Sequence, residues 1–275
     1  VVDREDRYLG LLTLTDLLTK PPSLGVAQVM QTDVEPIPAT LAAVEVARQF
    51  ERRDLISAPV VDERERLLGR ITIDDVVDVI REEAEHSLMG MAGLGEQADM
   101  FAPVARSARY RALWLGINLL TAFLASWVIG LFQGTIQKVV ALAVLMPIVA
   151  SMGGIAGSQT LTLVIRGLAL GQIESSNSRR LLTKELAVGL LNGALWAVVV
   201  AVVAVAWFKD LEIGGIIAAA IVINLFAAAF AGVAIPLLMR KLGADPALGG
   251  GVILTTVTDV VGFLAFLGLA TLFLT

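Results

Sequence analysis

The chain has 275 residues, 56% of them hydrophobic and 17% charged, with a net charge of −5 and a mean hydropathy of +0.78. Ordinary soluble domains hold about 45–50% apolar and about 25% charged residues, so this composition argues against a purely soluble protein. Zero cysteines and a single histidine exclude a disulfide scaffold, thiolate chemistry and any multi-histidine or cysteine metal site, and a pI near 5.0 without a basic tract argues against nucleic acid. The charges are uneven. Residues 1–111 carry 13 basic and 20 acidic side chains, net −7, whereas 112–275 carry 8 and 6, net +2. An acidic soluble module followed by a nearly charge-free part is expected. The missing initial Met and the strand-like start at Val1 predict a segment of a longer chain.

The first element is an internal repeat. Residues 1–18 recur as residues 60–77, with eight of the 18 positions identical: two valines, Asp, Arg, Leu, Gly, Thr and Asp. Each copy reads as strand, charged turn, strand and helix start, with Thr13/Asp16 and Thr72/Asp75 bracketing the helix entry. Between the copies, residues 40–53 read as an amphipathic helix with Leu41, Val44, Ala47 and Phe50 on its apolar side. The pattern resembles tandem CBS domains, the first truncated to residues 1–23 and the second spanning 24–80. In that family the Gly-x-x-Thr-x-x-Asp element, here Gly69, Thr72 and Asp75, holds an adenine nucleotide, which makes ATP a candidate ligand. The same Thr and Asp also serve as ordinary helix caps, and both readings stand on the sequence.

A connecting helix is expected over 74–105. Asp75, Asp78, Glu82 and Glu85 step by 3, 4 and 3 and so share one face, with Asp74 and Glu83 beside them. Like charges one turn apart cost a helix a few tenths of a kcal/mol per pair. Such a stripe is either a solvated face or one that waits for divalent cations. Oxygen-only donors suit Mg²⁺ or Ca²⁺ rather than Zn²⁺ or Cu²⁺.

Five long segments follow, approximately 112–132, 139–165, 186–208, 213–239 and 247–274, each long enough to cross a bilayer as helix. The fold expected is an α-helical membrane protein with five transmembrane helices, preceded by a cytoplasmic α/β CBS module. Orientation follows the basic residues near the span ends. Arg106, Arg109, Arg111, Arg166, Arg179, Arg180, Lys184, Arg240 and Lys241 fall on the side of the N-terminal module, against Lys138 and Lys209 opposite. The module is thus expected in the cytoplasm and the C-terminus outside, in the cell (inner) membrane. Residues 179–186 are amphipathic, and read equally as an interfacial segment or as an extension of the third span.

Asp259 stands out as the ionisable residue deep in a span, where an Asp costs roughly 2.5–3.5 kcal/mol on insertion scales. No basic residue lies deep in another span to neutralise it, which leaves a passing cation as its natural partner and a hydrogen-bonded structural Asp as the alternative. Thr255 precedes it by one turn. On the second span, Pro147 frees a backbone carbonyl, and Gly153, Gly154, Ser158 and Gln159 form a run of small and amide residues. Asn224 on the fourth span and Asn192 on the third are weaker polar candidates, since amides in membrane spans more often bond neighbouring helices.

The CBS pair, five spans, the Gly-Gly-Ile-Ala-Gly-Ser-Gln stretch at 153–159 and Asp259 together resemble the MgtE-type magnesium transporter family. The resemblance covers the whole chain and implies a homodimer with a central pore, plugged by the connecting helix. It implies that Asp259 is the selectivity carboxylate for hydrated Mg²⁺, with the Thr255 carbonyl beside it. Asp245 would share gating Mg²⁺ with the plug helix, and Asp54, Asp75, Asp78 and Glu83 would hold regulatory Mg²⁺. A helical domain that precedes the CBS pair in that family lies outside this sequence. His86 and Ser87 stand where relatives carry further acidic plug residues, and Ile155 replaces an Asn of the Gly-Gly-Asn version of the motif.

No Walker motif, phosphorylation Asp motif or other catalytic constellation is visible in the sequence. The expected function is therefore passive inward Mg²⁺ flux, closed by cytoplasmic Mg²⁺, rather than pumping or enzymatic turnover. The rival readings are a relative conducting Mn²⁺ or Co²⁺, and a non-conducting membrane sensor whose CBS pair reads nucleotide.

Overall fold

The computed structural model describes residues 1–94, 101–174 and 176–274. Two units separate, Val1–Glu85 and His86–Thr275.

In the first unit, β1 (Ile37–Pro38) lies parallel to β2 (Ser57–Val61), which pairs antiparallel with β3 (Leu67–Thr72), in the order β1-β2-β3. A parallel pair needs a crossover, and it is the third helix of the chain, α3 (Ala43–Arg53), that supplies it, after the short α1 (Leu14–Thr19) and α2 (Val26–Val29). The helix buries Val46, Ala47 and Phe50 against Ile37, Ala58 and Val76. Its buried stripe includes Val46, while Val44 is only half-buried, a rotation from the apolar side that the sequence suggests. Phe50 is 2% exposed. Phe50→Ala should therefore cost about 3–5 kcal/mol, read as a lower denaturation midpoint of this unit.

The repeat is visible in atoms. Asp3 accepts from the backbone N–H groups of Glu5 and Arg7, and Asp62, 59 positions later, from those of Arg64 and Arg66. These bonds, Arg7 N–H for Asp3 and Arg66 N–H for Asp62 foremost, hold both carboxyls below the usual carboxylate range. Their contribution to stability is present above the ordinary carboxylate pKa and is lost as pH falls through the depressed one. Asp6 and Glu65, again equivalent, both take left-handed backbone conformations. The two turns also pair with each other, Tyr8 N–H donating to Glu65 and Leu67 N–H to Asp6. Full strands form only in the second copy. In the first, pairing reduces to single bridges at Val2–Tyr8, Arg7–Arg66 and Leu11–Gln31. Strands extend only where a partner ladder runs beside them, and here β1 and β3 flank β2 alone.

Helix α4 (Ile73–Met91) begins in the first unit, and its last residues belong to the second. It stops at Gly93, whose φ of +69° closes the end with Leu94 N–H bonded to the Met89 carbonyl. The stretch 95–100 of the expected connecting helix lies outside the described residues.

The second unit holds five helices long and apolar enough to cross a membrane: α5 (Val104–Gly130), α7 (Ala141–Ala169), α8 (Ser178–Phe208), α9 (Leu211–Lys241) and α10 (Pro246–Leu274), with the short α6 (Gln133–Lys138) between the first two. The amphipathic stretch 179–186 is an extension of α8. Asp210 caps α9 by accepting from Glu212 and Ile213 N–H groups. The most buried of the five spans is α9, packed against α7, α8 and α10. Lipid supplies no hydrophobic drive between spans, so small residues and close packing hold them together. Ala220 of α9 accordingly lies in one cluster with Leu145, Leu225 and Phe266, and Ala228 and Ala229 of the same helix are buried as well.

Candidate functional site

Asp259 sits in the middle of α10, half-buried, with no hydrogen bond or ion pair to its side chain among the described residues. The turn before it is arranged by threonines. Thr255 Oγ1 donates to the Gly251 and Val252 carbonyls at 3.1 and 3.0 Å, and Thr256 Oγ1 to Val252 at 2.7 Å. Thr258, fully buried, donates to the Thr255 carbonyl at 3.0 Å. That carbonyl, expected beside the cation, thus already serves one hydroxyl.

Along α7, Pro147, Ser151, Ile155, Ser158 and Thr162 are exposed at steps of 4, 4, 3 and 4, which places them on one face. Gln159 is exposed beside them, and Gly154 is half-buried. Ile155, at 58% exposure, sets an apolar side chain in the middle of this otherwise small and polar face. Gly153 and Asn224 are both buried and pack against each other inside the bundle, not on that face.

Asp245 precedes α10 and divides its oxygens. Oδ1 accepts from Ala247 N–H at 2.9 Å, and Oδ2 lies 3.4 Å from Nε2 of His86 on α4. The group that faces Asp245 from α4 is thus an imidazole.

In the first unit, Asp75, Asp78, Glu82 and Glu85 are exposed and Glu83 is half-buried. Arg81 pairs with Glu85 at 3.0 Å. Asp54 is exposed and caps the end of α3 in a left-handed conformation. Asp75 accepts from both the backbone N–H and the hydroxyl of Thr72 at 3.0 Å, which is the geometry of a helix cap. Among the described residues, no three acidic or histidine side chains converge into a metal-binding group. The acidic residues singled out from the sequence are thus spread along a face rather than gathered into one.

One carboxylate escapes the sequence reading. Glu185, in the second turn of α8, is 3% exposed and accepts from Thr160 of α7 at 3.2 Å and from Lys184 at 2.9 Å. Its signal is a carboxylate one residue ahead of an apolar run, where it passes for a span boundary.

Comparison with known proteins joins these features. The profile of the MgtE family, a divalent cation transporter, matches residues 146–269, which include the α7 face and Asp259. Residues 146–269, which run from α7 into α10, are thus similar to that family's domain. A CBS domain matches residues 26–82. Over its whole length the chain is 33% identical to the magnesium transporter MgtE of Bacillus subtilis and 34% identical to that of Thermus thermophilus. It spans about three fifths of those relatives, 61% of each. A solved cytosolic domain of the Mg²⁺ channel MgtE, in complex with ATP, is 42% identical over 29% of this chain and 32% of its own, with a TM-score of 0.28. A CBS domain ahead of five helices long and apolar enough to cross a membrane, as observed here, is consistent with the architecture of the MgtE family.

Proposed function

We propose that this protein is a passive Mg²⁺ pathway, closed by Mg²⁺ bound on the side of its acidic module. The observation that carries the reading is Asp259, a mid-span carboxylate with no protein partner among the described residues. A charge held at that cost faces a pathway or an ion. Mg²⁺ gives up its waters reluctantly, so the carboxylate would act on a largely hydrated ion, with one Asp259 from each subunit of a homodimer around the axis. The open face of α7, with Pro147, Ser158 and Gln159, would line the same passage.

Gating belongs to the acidic side chains. Mg²⁺ bridging Asp54, Asp75, Asp78 and Glu83 across two subunits, and Asp245 to the end of α4, favours the closed arrangement by binding it better than the open one. Basic residues concentrated at the module's side of the spans support a cytoplasmic module and an outside C-terminus in the cell membrane. Magnesium transport by the MgtE relatives supports Mg²⁺ over Mn²⁺ or Co²⁺ as cargo.

Expression in cells that lack Mg²⁺ uptake tests the reading. Growth at limiting Mg²⁺, with cellular Mg²⁺ rising, is the expected result. Membrane-inserted protein that leaves both unchanged would overturn it.

A further inference from the structure

Asn224, near the middle of α9, has no exposed surface. A buried amide is costly in a membrane interior unless it is bonded, and this one is bonded on one side only. Nδ2 donates to the Val149 carbonyl of α7 at 2.8 Å, while Oδ1 is buried with no hydrogen-bond partner among the described residues. Hydrogen bonding therefore accounts for only part of its placement. The rest is shape. A Cβ at Gly153 of α7 would stand 2.3 Å from Nδ2, and one at Gly262 of α10 would stand 2.6 Å from it. Real Cβ contacts essentially never fall that short, so the glycines on both helices are what admit the amide. One side chain of the central helix is thus clasped between the two helices that carry the candidate pathway. Gly262 lies three residues after Asp259, on the next turn of α10, and Val149 lies two after Pro147 on α7.

We infer that Asn224 is a positioning residue for cation discrimination: it fixes α7 against α10 one turn from Asp259, and so sets where that carboxylate stands relative to the passing ion. The inference rests on Asp259 being the cation's carboxylate, as proposed above. A site that handles a hydrated ion discriminates by distance, because Mg²⁺ demands near-ideal octahedral geometry. Binding constellations must be held to within about 0.5 Å by the shell that supports them. Asn224 never meets the ion; it acts through the spacing of its two neighbours.

The test uses the full chain in proteoliposomes, with Mg²⁺ and Mn²⁺ as the two probes. Asn224→Ala should raise the half-saturating Mg²⁺ several-fold and lower the Mg²⁺ to Mn²⁺ uptake ratio. Gly262→Ala should shift both in the same direction, because its new methyl displaces the amide. The pair Gly262→Ala with Asn224→Ala should be little worse than Asn224→Ala alone, since the amide that the methyl would strike is gone and only Val149 Cγ1, at 3.1 Å, must yield by a few tenths of an ångström. Asn224→Ser, smaller but still a donor, gives the same readout should the Ala variant fail to insert, and should lie between parent and Ala. A purely structural role predicts lower maximal uptake with the ratio and half-saturation unchanged, and that result overturns the inference. Uptake that survives Asp259→Ala, or is missing in the parent, overturns the functional reading and this inference together. An unchanged ratio in the Asn224 variants, with Asp259→Ala inactive, overturns this inference alone.

Discussion

Asp259→Ala is expected to abolish Mg²⁺ uptake while the protein still folds and inserts. The two effects have opposite signs, which makes the result informative. Removing a mid-span carboxylate relieves an insertion cost of roughly 2.5–3.5 kcal/mol, so the variant should be at least as stable as the parent. No described side chain pairs with Asp259, so its removal strands no buried partner. Loss of flux in a well-folded variant would thus come from the missing charge itself. Asp259→Asn keeps the shape and a polar group, and should also fail, because an amide does not offset two positive charges. Uptake at the parent's rate in the Ala variant would refute the role of Asp259.

The second large effect concerns closure. Asp75→Asn, Asp78→Asn and Glu83→Gln together should leave the pathway open at module-side Mg²⁺ levels that silence the parent. Asp75 and Asp78 stand one turn apart on the exposed face of α4, with Glu82 and Glu85 continuing it. Their mutual repulsion, a few tenths of a kcal/mol per pair, is offset in the closed state by bound cations, and the variant lacks the carboxylates through which those cations bridge and hold that state. Asn at 75 still offers an oxygen to Thr72, so the start of the helix is preserved and the change is confined to charge. Patch recordings read the outcome directly. Mg²⁺ inhibition unchanged from the parent would show that the stripe is merely solvated.

Much of this architecture is legible in the sequence because its causes are local. Five spans follow from uninterrupted apolar runs, and Asp259 is conspicuous because nothing else charged lies so deep. The repeat is equally open to reading, down to the equivalent turns at Asp3 and Asp62. What escapes depends on contacts between distant residues. Asn224 and Val149 meet across 75 positions, so the general tendency of membrane amides to bond neighbouring helices is legible but the helix that Asn224 bonds is not. Glu185 reads as the edge of a span until Thr160 is seen to hold it. The buried side of α3 takes in Val46, which a reading by strict spacing from Leu41 passes over. The contact between His86 and Asp245 is another of this kind, joining α4 to the start of α10.

Potential-driven Mg²⁺ uptake by purified protein in proteoliposomes tests the central claim most directly. A membrane potential contributes about 2.3 kcal/mol per charge per 100 mV, and a divalent ion gains roughly twice that, so no energy source beyond the potential is needed. Uptake should follow an imposed inside-negative potential without nucleotide, and should fall as Mg²⁺ is raised on the side of the acidic module. Folded protein that passes no Mg²⁺ at any potential, with that side kept free of Mg²⁺, would contradict the account and leave a membrane sensor in its place.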